Sequence, residues 1–236
     1  MLIFRVLSDF VRDDMSDQAF PYLAQLLMPV LYGLFSNPST LLAIRSGAVK
    51  IVAEFVEIIY MVKEEHPEGN SCIHTFYSFS VVSTYLEPII EIWTPGLLQV
   101  ISSHDNNQGD LLQIKIQSLR TVVKLVRAFP KHMDKVIPAF LDKIWGGLEA
   151  AAQGFQNDFV HISHDDFDDS AEKNGCEDEE GDVSGIEAFI YTSLEFVELV
   201  AKKKSVRAGV AASLNKMVSV LVGYLQLTVP VVIGYI

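Results

Sequence analysis

The chain has 236 residues, half of them hydrophobic, with 18 Lys and Arg against 30 Asp and Glu and a formal net charge of −12. That balance excludes direct nucleic-acid binding, because phosphates call for clustered Lys and Arg. It favours a basic protein partner, which an opposite field steers into encounter.

The apolar residues recur at three- and four-residue spacing, so the expected fold class is all-α. Leu2–Val11 reads as a short helix followed by the polar turn RDDMSD, in which Ser16 and Asp17 can cap a helix over Phe20–Phe35. Asn37-Pro38-Ser39-Thr40 stops that helix, with Pro38 suited to the first turn of the next. The next helix runs to about Met61 with Leu42, Ile44, Ala48, Val49, Val52, Ala53, Val56 and Ile59 inward. KEEHPEGNSC is a loop by its Pro and Gly breakers.

Further helices are expected over Val81–Ile101, bent near Pro88 and Pro95, and over Leu111–Phe129, Met133–Phe155, Ile186–Lys203 and Val206–Thr228. Short turns between them predict antiparallel pairs. Trp93 and Trp145 fall on apolar faces and are assigned to the core.

The longest interruption is 162–183, ISHDDFDDSAEKNGCEDEEGDV, with ten carboxylates against the single Lys173, a balance of −9. It has no apolar periodicity and cannot bury enough surface to offset the entropy of ordering it, so it reads as a disordered acidic loop. It divides the chain into helical pairs over 1–161 and further helices over 184–236.

The pairs look related. Pro29, Pro95 and Pro138 each fall in a first helix, followed by PVLYGLF, PGLLQVI and PAFLDKI. In the second helices, Ile44, Ala48 and Val49 match Ile114, Ser118 and Leu119, and then Phe189, Ser193 and Leu194. The small residue in the middle lets two helices approach closely. Arg45 and Lys115 occupy equal places, where the third helix has Ile190. This pattern predicts a HEAT-like α-solenoid, each pair burying its face on the next, with an ordinary irregular bundle as the alternative.

Chemical motifs are sparse. The acidic run lacks the ligand spacing and sixth-place Gly of a calcium loop. Neither His161, His164, Asp165 and Asp166 nor Cys72-Ile73-His74 supplies a paired metal-ligand spacing. There is no GxSxG elbow, and Gly146-Gly147 lacks the Lys-Ser/Thr of a phosphate loop. The chain is read as non-enzymatic, with no cofactor. Cys72 and Cys176 are expected to be free thiols of a reducing compartment.

The start, MLIFRVLSDF, lacks a basic n-region and reads as the late part of a helix, as if the chain began inside a larger protein. Val218–Ile236 carries no charge and is about long enough to span a bilayer. Its Ser219, Gln226, Thr228 and Pro230 favour a packed helix over a tail anchor.

RVLSDFVRDD, IRSGAVKIVAEF, VVKLVRAFPKHM and GIEAFIYTSLEFVELV occur in this order with the acidic run between the last two. In these words the chain resembles the importin-β-type karyopherins, and within them the importin-9 family, over about Leu2–Thr228. The resemblance implies part of a right-handed HEAT-repeat superhelix that carries basic cargo, such as core histones, into the nucleus. It also implies binding of the small GTPase Ran, shuttling between cytoplasm and nucleus, and nucleoporin FG repeats as a further contact. The chain departs from the family in lacking its extreme N-terminal repeats and in ending TVPVVIGYI, where the family continues with a charged stretch.

On this reading the cargo site is the acidic loop: Asp165, Asp166, Asp168, Asp169, Glu172, Glu177, Asp178, Glu179, Glu180 and Asp182. Their field reaches about 8–10 Å at physiological salt. Arg45, Lys50, Lys115, Arg120, Lys124 and Arg127 lie on second helices, which line the concave face in solenoids of this kind. They are either contacts for acidic patches on Ran or cargo, or ordinary solvated faces. An acidic scaffold or histone chaperone without transport activity is the alternative function, and a tail-anchored adaptor a third.

Overall fold

A computed structural model describes residues 2–11, 20–65, 82–103, 109–161 and 185–204, with Ala211, Val218 and Val222 beyond them. The described residues are helical, with no strand among them. In chain order they form α1 (Leu2–Asp9), α2 (Phe20–Ser36), α3 (Leu42–Glu65), a π-helical turn (Val82–Leu86), α4 (Glu87–Ile101), α5 (Gly109–Ala128), the single turn α6 (Pro130–Met133), α7 (Ile137–His161) and α8 (Ile186–Ala201).

The helices stack in two rows. In one row α1 packs on α3, α3 on α5 and α5 on α8. Against it lie α2 on α3, α4 on α5 and α7 on α8, with α4 also touching α7. Burial follows from this placement. From Ala48 to Val56 every described α3 residue except Lys50 is buried, and α5 is similar from Ile114 to Val126, interrupted by Gln117, Arg120 and Lys124. Helices apolar nearly all round need neighbours on several sides, which the middle of a row provides. One hydrophobic core runs through the stack from Val11 to Val200, so helices before and after the acidic run share it.

Three contacts set how closely the helices approach. A β-carbon on Gly47 would lie 2.8 Å from Cγ of Phe4, one on Gly96 2.7 Å from Cε1 of Phe35, and one on Gly147 2.9 Å from Cζ of Phe189. Each glycine thus receives a phenylalanine ring from a neighbouring helix. Phe35 also stacks on Trp93 with centroids 5.2 Å apart, and Tyr32 meets Trp93 edge-on at 5.4 Å, joining α2 to α4. Such ring pairs contribute about 0.5–1.5 kcal/mol each beyond the area they bury.

The prolines sit where their missing N–H does least harm. Pro29 and Pro95 lie inside α2 and α4 but on exposed faces, and the carbonyls they free belong to the exposed Gln25 and Glu91, where water replaces the lost bond. Pro138 is instead the second residue of α7, a position where no intrahelical donor is needed. The expected continuous helix over Val81–Ile101 is a π turn joined to α4, with Pro88 in the first turn of the latter. Pro38 likewise does not open α3. Ser39 N–H donates to Asn37 Oδ1 at 2.9 Å and Thr40 N–H to Asn37 O at 3.1 Å, closing a turn before the helix begins at Leu42.

Two helices run past their expected ends. α3 continues through Lys63–Glu65, because Lys and Glu favour helix even without an apolar period, and α7 continues to His161. At the junction of α5 and α6, Phe129 leaves the helical region (φ −129°, ψ 56°), as steric clash with a following proline favours. α8 is preceded by Gly185, whose φ of +88° is a conformation that glycine adopts without strain. The turn KEEHPEGNSC, apart from its first three residues, and the helix expected over Val206–Thr228, apart from Ala211, Val218 and Val222, lie outside the described residues.

Candidate functional site

The ten carboxylates assigned to cargo binding, from Asp165 to Asp182, lie outside the described residues. The helices that flank them are described. α7 leads out at His161, α8 returns at Ile186, and these two helices pack on each other.

The six basic residues fall on α3 and α5 and divide into three groups. Lys50 is exposed. Lys124 and Arg127 reach sideways along the row. Lys124 Nζ stands 2.7 Å from Glu57 on α3, and Arg127 Nη2 stands 2.5 Å from Glu195 on α8. The central helix α5 is therefore tied to its neighbours on either side by one ion pair each. Arg120, four residues before Lys124 on α5, is half-buried and also engaged.

The third group serves the fold. Lys115 is 2% exposed and its Nζ donates to the carbonyl of Ser103, at the end of α4. This corrects its assignment to an open face. The stem packs in the core between paired helices, and the ammonium satisfies a carbonyl just past the end of α4. Arg45 is half-buried. Its Nε donates to the carbonyl of Phe35 at 2.8 Å, its guanidinium lies 5.8 Å from the centre of the Phe35 ring, and burial lowers its pKa. Arg45 and Lys115, which follow Ile44 and Ile114 in the matching sequence words, each bind a main-chain carbonyl near the C-terminal end of the helix preceding their own. This is the favourable end for a cation, where carbonyls lack intrahelical partners.

At the far end of the row, Lys202 donates to Glu198 at 2.6 Å and Lys203 to the carbonyl of Pro130 at 3.2 Å, with Asp134 at 3.9 Å. Burial lowers the Lys203 pKa, and Asp134 opposes that shift. Lys203 thus fastens the end of α8 to the short α6.

The row surface is accordingly a mixed-charge face: Glu57 with Lys124, Arg127 with Glu195, Glu198 with Lys202. Its cations already hold acidic neighbours within the chain, so an acidic partner would have to exchange those pairs. The partners Glu57 and Glu195 are what the sequence reading missed, since nothing local joins residues 67 or 68 positions apart. Among the described residues no three His, Cys, Asp or Glu side chains gather as a metal site. No described helix is long and apolar enough to cross a membrane. No family model matches the chain.

Proposed function

We propose that the chain is a HEAT-repeat α-solenoid module of the importin-β-type karyopherins, of the kind found in the importin-9 family. It binds basic protein cargo such as core histones through the acidic segment, and Ran-GTP is coupled to cargo release by mutually dependent binding. It shuttles between cytoplasm and nucleus.

The observation that supports the solenoid most directly is the register of the row formed by α3, α5 and α8. Ala48, Ser118 and Ser193, the small residues at equal places in the repeat, are each 0% exposed on the consecutive row helices α3, α5 and α8. Repeats that stack in sequence bring equivalent positions into equivalent surroundings, and a small residue at the crossing is what close approach of neighbouring helices requires. The function itself rests on the resemblance in sequence and on the charge of the acidic run. Ten carboxylates within one short segment provide a long-range attraction for Lys- and Arg-rich surfaces.

The test is binding of a labelled core-histone dimer at low and at physiological salt. The comparison variant carries Asp165→Asn, Asp166→Asn, Asp168→Asn, Asp169→Asn, Glu177→Gln, Asp178→Asn, Glu179→Gln and Glu180→Gln. Wild type should bind, weaken with salt and lose most of its affinity in the variant, and added Ran-GTP should lower histone binding. Equal binding by both proteins would remove the acidic segment from the site. Insensitivity to Ran-GTP would leave an acidic chaperone rather than a carrier.

A further inference from the structure

Two stretches far apart in sequence meet at the end of α8. Lys203 Nζ donates to the Pro130 carbonyl at 3.2 Å and stands 3.9 Å from Asp134 Oδ1, and its side chain is 15% exposed. Successive α-carbons lie about 3.8 Å apart. These contacts therefore hold Lys131 and Lys135, the neighbours of Pro130 and Asp134, close to Lys202 and Lys204, the neighbours of Lys203. All four are exposed. Further back in both stretches, Arg127 meets Glu195 across the same junction of α5 and α8.

The charge of this corner is opposite in sign to that of the chain. Residues 127–135 and 195–204 hold six of the 18 Lys and Arg but only three of the 30 Asp and Glu. Those three carboxylates are committed. Glu195 pairs with Arg127, Glu198 with Lys202, and Asp134 faces Lys203. Among the described residues, Lys131, Lys135 and Lys204 have no carboxylate partner. Lys203 makes the contact that joins the corner, so the packing does not account for these three. Ammonium groups gathered without counter-charges repel one another, and an anionic occupant relieves that repulsion.

We propose that this corner binds an acidic peptide, a Glu- and Asp-rich segment whose carboxylates lie along Lys131, Lys135 and Lys204. The donors select the class. All three are lysines, point charges on flexible stems with rotatable donors, and they can follow carboxylates spaced along an extended chain. Phosphate recognition favours the planar arginine fork, and the arginine of this corner, Arg127, is already paired with Glu195. Single-stranded nucleic acid also calls for exposed rings on which bases stack, and both phenylalanines of these stretches, Phe129 and Phe196, are buried.

Fluorescence anisotropy with the full chain tests this, using a fluorescein-labelled Glu-Asp repeat peptide at low and at physiological salt. The same titration is run on the eight-substitution variant described above, in which the chain's own acidic run cannot mask the corner. The peptide should bind at least the neutralised variant, and more weakly as salt rises. In that background, Lys131→Glu with Lys135→Glu should raise the dissociation constant about tenfold or more. Lys50→Glu with Lys143→Glu changes the net charge equally at exposed sites elsewhere and should leave it within about twofold. All four positions are exposed, so circular dichroism should be unchanged. No binding by either protein, or an equal loss in both lysine pairs, would overturn the proposal. Tighter binding of an oligothymidylate of equal charge would overturn it in favour of nucleic acid.

Discussion

Cζ of Phe189 stands 2.9 Å from the point where a β-carbon on Gly147 would lie, so the ring carried by α8 rests directly on the backbone of α7. The preceding residue, Gly146, is exposed with nothing within 4 Å of the same point. Two adjacent glycines in one helix are therefore expected to respond with opposite sign. Gly146→Ala should stabilise by about 0.5–1 kcal/mol, the helix-propensity gain alone. Gly147→Ala should lose that gain to overpacking and come out destabilised by about 1 kcal/mol. In a Phe189→Leu background Gly147→Ala should become stabilising. Urea unfolding of the set checks this, and like signs at both positions in the wild-type background would contradict the packing.

Lys115 is the basic residue whose loss should read as a folding defect. Lys115→Ala removes a buried stem and leaves the Ser103 carbonyl without its donor, so about 2–4 kcal/mol of stability should go. Lys50→Ala, on an exposed site, should stay within about 0.5 kcal/mol of wild type. Thermal unfolding distinguishes them. Any loss of partner binding in Lys115→Ala should follow its loss of folded protein.

Thr94 is buried on α4 and its hydroxyl has no hydrogen-bond partner. Thr94→Val keeps the shape and the β-branch and removes the unmet polar group, so it should stabilise by about 1 kcal/mol in denaturant titration. Thr192→Val looks similar in sequence but should destabilise by a comparable amount. Its hydroxyl donates to the Ala188 carbonyl at 2.8 Å, and that bond would be lost.

The ion pairs that join α3, α5 and α8 are partly exposed, so they should tune stability rather than create it. A double-mutant cycle of Arg127→Ala and Glu195→Ala should give a coupling of about 0.2–1 kcal/mol that shrinks in 1 M salt. A coupling above about 2 kcal/mol would show a drier site than the side-chain exposures of 60% and 30% imply.

Glu198 carries the clearest pH dependence. The hydrogen bond from Lys202, and then its charge, hold the Glu198 carboxyl below its ordinary value of 4.5. The folded state therefore binds this proton less readily than the unfolded state. The contribution is complete above the unfolded value and lost as pH falls through the folded one. Glu198→Gln should lower the Tm slightly at pH 7 and converge on wild type in acid. A difference that persists below the carboxylate range would assign the effect to something other than this ionisation.

The sequence by itself determined that the chain is helical and where most helices lie, because a 3.6-residue apolar period is written locally and prolines punctuate it. The likeness in spacing of Ile44-Ala48-Val49, Ile114-Ser118-Leu119 and Phe189-Ser193-Leu194 was visible for the same reason. The acidic run was visible as composition, and an uncharged α2 could have been noticed in the same way. Tertiary structure decided what spacing cannot encode. Lys115 and Lys124 lie nine residues apart on α5, yet one is buried on a carbonyl past the end of α4 and the other lies in an ion pair with Glu57. Helical period assigned both to one kind of surface. Which cation meets water depends on the neighbour that covers it, and that neighbour comes from a distant part of the chain.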